Sequence, residues 1–193
     1  FGAGKADAYL IKTDATGTSS WTKVMGGDGD DVAWSVIETS SGYALTGNTE
    51  SFGSGQQDVY FVLTDATGTP TVTRAIGGSA IDYGTDLIQT SDGGYAIAGY
   101  SKSFNNNGDD VYIVKTDGSG DVVWSRTYGG AFNDRAWSIQ ETSTGELVVA
   151  GNSQSFGLSV ASGNWEYYLI RTDAGGDSKC NVGGATSTEV DTV

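Results

Sequence analysis

Short runs of apolar residues, many of them alternating with polar residues, follow one another along the chain and are bounded by Gly, Asp, Asn and Ser. This pattern is typical of β-strands that are joined by tight turns. Residues 28–78 contain four such segments. The predicted strands there are Val32–Thr39, Tyr43–Thr49, Asp58–Thr64 and Thr71–Ile76. The pattern therefore predicts an all-β fold.

The same short phrases return at a nearly constant interval. The dipeptide Thr-Asp recurs at spacings of 51, 52 and 56 residues. Pairs of Gly-Gly and of Ser-Phe recur in the same phase. The Thr-Asp copies are Thr13-Asp14, Thr64-Asp65, Thr116-Asp117 and Thr172-Asp173, and the Gly pairs are Gly26-Gly27, Gly77-Gly78 and Gly129-Gly130. Four short strands in a period of roughly 50 residues are the unit of a β-propeller blade.

We predict a β-propeller-type array of four-stranded antiparallel blades. The predicted units are a partial blade over residues 1–27, full blades over 28–78 and 79–130, a partial blade over 131–173, and a Gly-, Ser- and Thr-rich tail over 174–193. The count is thirteen strands, or about three blades plus one extra strand. Helical repeats and parallel β-helices have shorter units, and a Greek-key sandwich has no reason to repeat its sequence in phase.

Two stretches carry a resemblance to known proteins. They are GGSAIDYGTDLIQTSDGGYAIAGYSKSF at residues 77–104 and DDVYIVKTDGSGDVVWSRTYGG at residues 109–130. Both resemble the tandem repeats of bacterial and archaeal secreted β-propeller repeat families, and the resemblance covers residues 1 to about 173. It implies a blade-forming scaffold, often part of a longer adhesin-like or surface polypeptide.

Thirteen strands do not complete a ring, because propellers usually close with about four to eight blades. Three explanations stay open. Blades could be missing from this chain, the first strands could complete a blade in a neighbouring copy, or residues 7–25 could pair with residues 135–153 and close the ring internally. We favour completion by another copy or by missing blades. The tail is interpreted as a flexible end or linker, and the alternative is an arm that docks on a neighbouring subunit.

Charge and composition exclude several classes of function. The 10 Lys and Arg residues against 24 Asp and Glu residues give a net charge of -14, which would repel nucleic acids and anionic membranes. No apolar run approaches the roughly 20 residues that span a bilayer, so we predict no membrane insertion. The absence of His and the single Cys180, whose state stays open, exclude His-based triads and zinc sites with His or several Cys ligands.

No nucleophile elbow, zinc-protease motif or phosphate-binding loop is present, so we predict that the protein is not an enzyme. A glycan-cleaving pair of carboxylates is a distant alternative. Scarce Cys, strong acidity and abundant Thr, Ser, Gly and Asn indicate a secreted or cell-surface protein. The start at Phe1 without a leader suggests a processed or truncated product.

The densest acidic cluster is a candidate metal site. Asp28, Asp30 and Asp31 could supply oxygen ligands to Ca²⁺, although their spacing does not match the calcium-loop motif. Asp also recurs at matched positions in every repeat. We interpret these recurring carboxylates as acceptors for backbone N–H groups in turns.

Three Trp residues are the candidate ligand-binding side chains. Trp34 and Trp137 share one repeat position, and Trp165 lies in an insertion at residues 157–165. Exposed aromatic rings can stack on sugars, whereas buried ones pack between blades. The favoured function is an extracellular structural scaffold that self-associates or binds other chains through blade completion. The alternative is a carbohydrate-binding module that recognises glycans, with Ca²⁺ as a candidate cofactor.

Overall fold

The structure is a computed structural model in which residues 4–104, 108–157, 163–181 and 188–191 are described. These residues form fifteen β-strands and no helix, which confirms the all-β prediction. The strands are β1 Ala8–Thr13, β2 Ser19–Met25, β3 Asp31–Glu38, β4 Gly42–Thr49, β5 Asp58–Asp65, β6 Pro70–Ile76, β7 Asp82–Gln89, β8 Tyr95–Ser101, β9 Asp110–Thr116, β10 Val122–Gly129, β11 Asp134–Glu141, β12 Leu147–Ser153, β13 Glu166–Thr172, β14 Ser178–Asn181 and β15 Thr188–Asp191. The described part of the chain holds no helix of the length and apolar character needed to cross a membrane.

The strands form four sheets of antiparallel neighbours. The first sheet contains β1 and β2, the second β3 to β6, the third β7 to β10 with β15 beside β10, and the fourth β11 to β14. Apart from β15, strands that follow one another in sequence are neighbours within their sheet. The four strands of the second sheet begin and end within one residue of the predicted segments.

A recurring Asp turn closes the hairpin between β1 and β2 and the hairpins between the third and fourth strands of the other three sheets. Asp65 Oδ1 accepts the backbone N–H groups of Thr67 and Thr69 at 2.8 and 2.9 Å. Gly68 adopts a φ of +75°, a conformation that glycine reaches without strain. Asp14, Asp117 and Asp173 accept N–H groups two and four residues onward in the same way. These contacts support the interpretation of this Asp position as a turn former.

The last part of the chain differs from the prediction. The segment predicted as a tail, residues 174–193, contains two strands among its described residues. β14 pairs with β13 and gives the fourth sheet its fourth strand, so the described strands exceed the predicted thirteen. The physical reason is the turn at Asp173, which has the same hydrogen bonds as the earlier hairpins. β15 pairs with β10 of the same chain. The alternative prediction was that the tail forms an arm that docks on a neighbouring subunit.

The hydrophobic core lies between successive sheets. In β5, Tyr60 and Val62 pack toward the first sheet, whereas Val59 and Phe61 pack toward the third. Successive side chains of a strand point to opposite faces, so a strand between two sheets is apolar at consecutive positions. A third cluster joins the third and fourth sheets and includes Ile113 and Ile170.

The first strands of the second, third and fourth sheets, β3, β7 and β11, lie next to one another. They form a continuous surface at one edge of the stack. The ring closure that we considered, between residues 7–25 and 135–153, is not found in the described residues. There β12 pairs with β11 and β13, and β1 pairs with β2 alone.

Candidate functional site

A β-bulge occurs at the same place in each of the three first strands. The ladder register shifts between Ala33 and Ser35, and at the equivalent points of β7 and β11. The extra residues at these bulges are Trp34, Thr85 and Trp137. A bulge redirects a side chain out of the regular alternation of a strand. The two predicted Trp residues are therefore equivalent bulge residues, and their side chains are 59% and 50% exposed.

The three bulge positions line one cavity. Its walls are Trp34, Tyr83, Thr85, Tyr100 and Trp137, and its volume is about 260 Å³. Thr85 is much smaller than the Trp found at the two equivalent positions. The third sheet lies between the second and the fourth. Because it carries the small residue Thr85, a space lies between the side chains of Trp34 and Trp137. We call this space the aromatic cleft.

Hydrogen bonds and ring contacts hold the aromatic side chains of the cleft in place. The Nε1–H group of Trp34 donates to Asn48 Oδ1 at 2.8 Å, and that of Trp137 donates to Asn152 Oδ1 at 3.1 Å. Tyr83 and Tyr100 stack with their centroids 4.9 Å apart. The cleft is therefore preorganised, since little rotamer freedom is left to lose on binding.

Trp165 belongs to the same surface through Arg135. The Arg135 guanidinium carbon lies 4.9 Å from the Tyr100 ring centroid and 5.4 Å from that of Trp165. The guanidinium also forms an ion pair of 2.5 Å with the buried carboxylate of Asp109. The three predicted Trp residues thus lie on one aromatic surface. Residues 158–162 of the predicted insertion lie outside the described residues.

Tyr83, Tyr100 and Arg135 were not predicted from the sequence. A signal for Tyr100 exists in the repeat. Tyr100 occupies the position of Asn48 and Asn152, the acceptors of the Trp indole groups in the neighbouring sheets. The repeat that forms the third sheet therefore has Thr85 and Tyr100 where the neighbouring repeats have a Trp and an Asn. This joint departure from the repeat marks the cleft.

The predicted metal residues have separate partners. Asp31 is buried and accepts bonds from the Gly27 N–H group at 2.8 Å and from the Thr49 and Ser51 hydroxyl groups. Asp30 accepts the Ala6 N–H group at 2.9 Å, and Asp28 is exposed. No group of three or more His, Cys, Asp and Glu side chains suited to a metal is found in the described ranges. The calcium site stays a prediction.

Pairs of carboxylates face each other where consecutive sheets meet. A Cβ atom on Gly77 would lie 2.4 Å from Asp58 Oδ1 and 2.3 Å from Asp82 Oδ2. Only glycine leaves room for both carboxylates. The same arrangement occurs at Gly26 with Asp7 and Asp31, and at Gly129 with Asp110 and Asp134. These contacts, which recur from repeat to repeat, explain both the Gly pairs and the recurring Asp residues beside them as structural features.

Burial raises the pKa of Asp58, and the nearby Asp82 carboxylate raises it further, against the lowering effect of the Gly55 N–H group. A carboxyl group with a raised pKa stabilises the fold below its unfolded pKa, and this contribution is lost as the pH rises through the folded pKa. We therefore expect the neutral Asp58→Asn variant to melt at a higher temperature than the natural chain at pH 7. The difference should shrink at pH 4.

Thermal unfolding followed by circular dichroism at the two pH values measures this effect. Asp28→Asn is the matched control, because it removes one negative charge from an exposed position. Its effect should be similar at both pH values. A melting temperature of Asp58→Asn below that of the natural chain at pH 7 would contradict the role of the carboxylate pair.

The two ends of the stack expose side chains whose repeat equivalents are buried. On the first sheet, Tyr9 is 57% exposed, whereas the equivalent Tyr60 is buried. On the fourth sheet, Leu169 is 48% exposed, whereas the equivalent Phe61 is fully buried. Ile11 and Tyr167 are exposed beside them. We call the Tyr9 and Ile11 surface the first end face, and the Tyr167 and Leu169 surface the last end face.

An exposed side chain of the second sheet reflects the small size of the first sheet, which has two strands where the other sheets have at least four. Val36 of β3 is 50% exposed, whereas the equivalent Leu87 and Ile139 are 1% and 0% exposed. In the later sheets these positions are covered by the first two strands of the sheet before. The first sheet contains only β1 and β2, so Val36 is left uncovered.

Comparison with known proteins finds a similar sequence but no matching family model. No family model matches the chain. The chain is 29% identical over 202 residues to the protein named Regulatory protein FlaEY of Caulobacter vibrioides (strain ATCC 19089 / CIP 103742 / CB 15). The alignment covers 92% of this chain and 21% of that relative. The chain therefore spans about a fifth of the length of the relative.

Proposed function

We propose that the four sheets are consecutive blades of an open β-propeller arc, and that the protein is a non-catalytic interaction scaffold completed by further blades of the same type. The observation that carries this proposal is the exposure of Tyr9 and Leu169 at positions that are buried inside the stack. The chain buries the same two kinds of face against each other at each internal interface. A further blade at either end would repeat that contact.

The two end faces match each other as the internal faces do. Tyr9 and Ile11 are equivalent to Tyr60 and Val62, which receive the preceding sheet. Leu169 is equivalent to Phe61, which packs on the following sheet. The last end face of one copy therefore fits the first end face of the next. Such a head-to-tail contact uses different surfaces on the two copies and builds rings or filaments.

Burial of the end faces would be favourable. Each apolar side chain taken out of water contributes roughly 1.5–3 kcal/mol. Exposed apolar patches of this kind mark protein–protein contacts. The relative is named a regulatory protein, which agrees with a non-catalytic role. Its much greater length agrees with a module that lies beside further chain. An extracellular location is part of the proposal and rests on composition.

The test measures association through the end faces. Light scattering over a range of concentrations should show that the natural chain associates, and that Leu169→Asp or Ile11→Asp reduces its affinity for itself at least tenfold. Val123→Asp is the control, because Val123 is exposed on β10, away from both end faces. Each substitution adds one negative charge. A difference in self-affinity between the variants therefore shows which surface makes the contact.

A covalent tandem of two copies distinguishes free copies from blades in the same polypeptide. If a second blade covers an end face within the tandem, the tandem should melt at a higher temperature than the single chain, and Leu169→Asp in the first copy should abolish this gain. A chain that stays monomeric at every concentration, together with a tandem that melts like the single chain, would overturn the proposal.

A further inference from the structure

The residues of the aromatic cleft lie outside the hydrophobic core clusters that join the sheets. Its wall residues Trp34 and Trp137 are half exposed, while the core clusters between the sheets are formed by other residues. The cleft exists because the middle repeat has Thr85 and Tyr100 where its neighbours have Trp and Asn. Among the residues that the structure describes, the cleft is therefore not repeated from sheet to sheet.

The indole N–H groups and the threonine hydroxyl of the cleft are already bonded. The indole N–H groups of Trp34 and Trp137 donate to Asn side chains. Thr85 Oγ1 lies 3.0 and 2.9 Å from the carbonyl oxygens of Ala98 and Ala136. A ligand that buried polar groups against these side chains would leave those groups without partners, at a cost in free energy. The cleft instead suits a ligand that buries one apolar face and keeps its polar groups in water.

The charges around the cleft argue against an ionic ligand. A cation would compete with Arg135, whose guanidinium group already lies over the Tyr100 ring and beside Trp165. An anion would be repelled by the net charge of -14, and Arg135 is neutralised by its ion pair with Asp109. A neutral ligand is therefore favoured.

We propose that the aromatic cleft binds a neutral sugar ring, which stacks its C–H face on Trp34 or Trp137 and leaves its hydroxyl groups in solvent. A pyranose has one apolar face and an outward ring of hydroxyl groups, which matches the half-exposed indole rings. The volume of about 260 Å³ lies just below the range of roughly 300–1,000 Å³ for ligand pockets, which suits a single ring. This proposal does not depend on the association of copies.

The test uses an array of neutral oligosaccharides, followed by titration calorimetry of the glycan that binds. Trp34→Ala and Trp137→Ala should each weaken binding roughly tenfold. Thr85→Trp should abolish it by filling the cleft. The new side chain is the one that the neighbouring repeats carry at this position, so the fold should tolerate it. Trp21→Ala is the control, since Trp21 lies in the first sheet, away from the cleft.

Thermal unfolding of each variant shows that it is folded. Equal losses of affinity in Trp34→Ala and in the Trp21→Ala control would overturn the proposal, because the loss would not be specific to the cleft. Binding of no neutral glycan on the array would also overturn it. So would displacement of a bound glycan by tetramethylammonium, since that result assigns the rings to a cation. None of these results bears on the association of copies, so either proposal can fail without the other.

Discussion

Gly99→Ala is expected to destabilise the third sheet by about 4 kcal/mol or more, or to prevent folding. Gly99 lies opposite Gly84, beside the bulge at Thr85. A Cβ atom on Gly99 would lie 1.7 Å from the backbone oxygen of Tyr83, far inside van der Waals contact. Backbone atoms cannot move aside as a flexible side chain can, so the ladder between β7 and β8 would have to open.

Urea denaturation measures this effect. Gly175→Ala is the control, because a Cβ there would meet its nearest neighbour, Asp173, at 3.4 Å. We expect that variant to change the free energy of unfolding by less than about 0.5 kcal/mol. The equivalent glycines Gly47 and Gly151 have the same close approach, at 1.7 and 1.9 Å, so both should behave like Gly99. A Gly99→Ala chain with natural stability would show that the bulge does not require glycine.

Phe61→Ala is expected to destabilise the chain by about 3–5 kcal/mol. The Phe61 side chain is fully buried between the second and third sheets, and its ring lies 5.4 Å from that of Tyr95. Truncation removes its apolar area and leaves a cavity at the interface. Because the fold consists of sheets stacked on one another, the loss weakens the contact that joins them.

Leu169→Ala is the matched control, since Leu169 occupies the equivalent repeat position on the fourth sheet and is 48% exposed. At concentrations where the chain is monomeric, we expect it to cost less than about 1 kcal/mol. Equilibrium denaturation of the two variants gives both values. Similar losses at the two positions would mean that a further surface covers the last end face, contrary to the structure.

The strands and hairpin turns could be predicted from the sequence because they depend on near neighbours. The four strands of the second sheet match their predicted limits, and the Asp65 turn follows from residues within four positions. The same signal was present at Asp173 and would have predicted β14. The position of β15 beside β10 could not be predicted, since those strands are far apart in sequence.

The candidate site could be predicted only in part. Trp34 and Trp137 were found because they share a repeat position, and Trp165 because it breaks the period. Their assembly into one surface depends on the packing of β3, β7 and β11 side by side. The contribution of Arg135 could not be read from its residue type, because its stacking requires Tyr100 and Trp165 from other parts of the chain.

The sequence by itself determined the period, the strands and the turns of this protein, since alternation of polarity and local hydrogen bonds act over a few residues. Only the tertiary structure decided which faces are covered. Phe61 and Leu169 stand at the same place in the repeat, yet one is buried and the other exposed. Burial depends on whether another sheet packs against the strand, and that is a property of the whole stack.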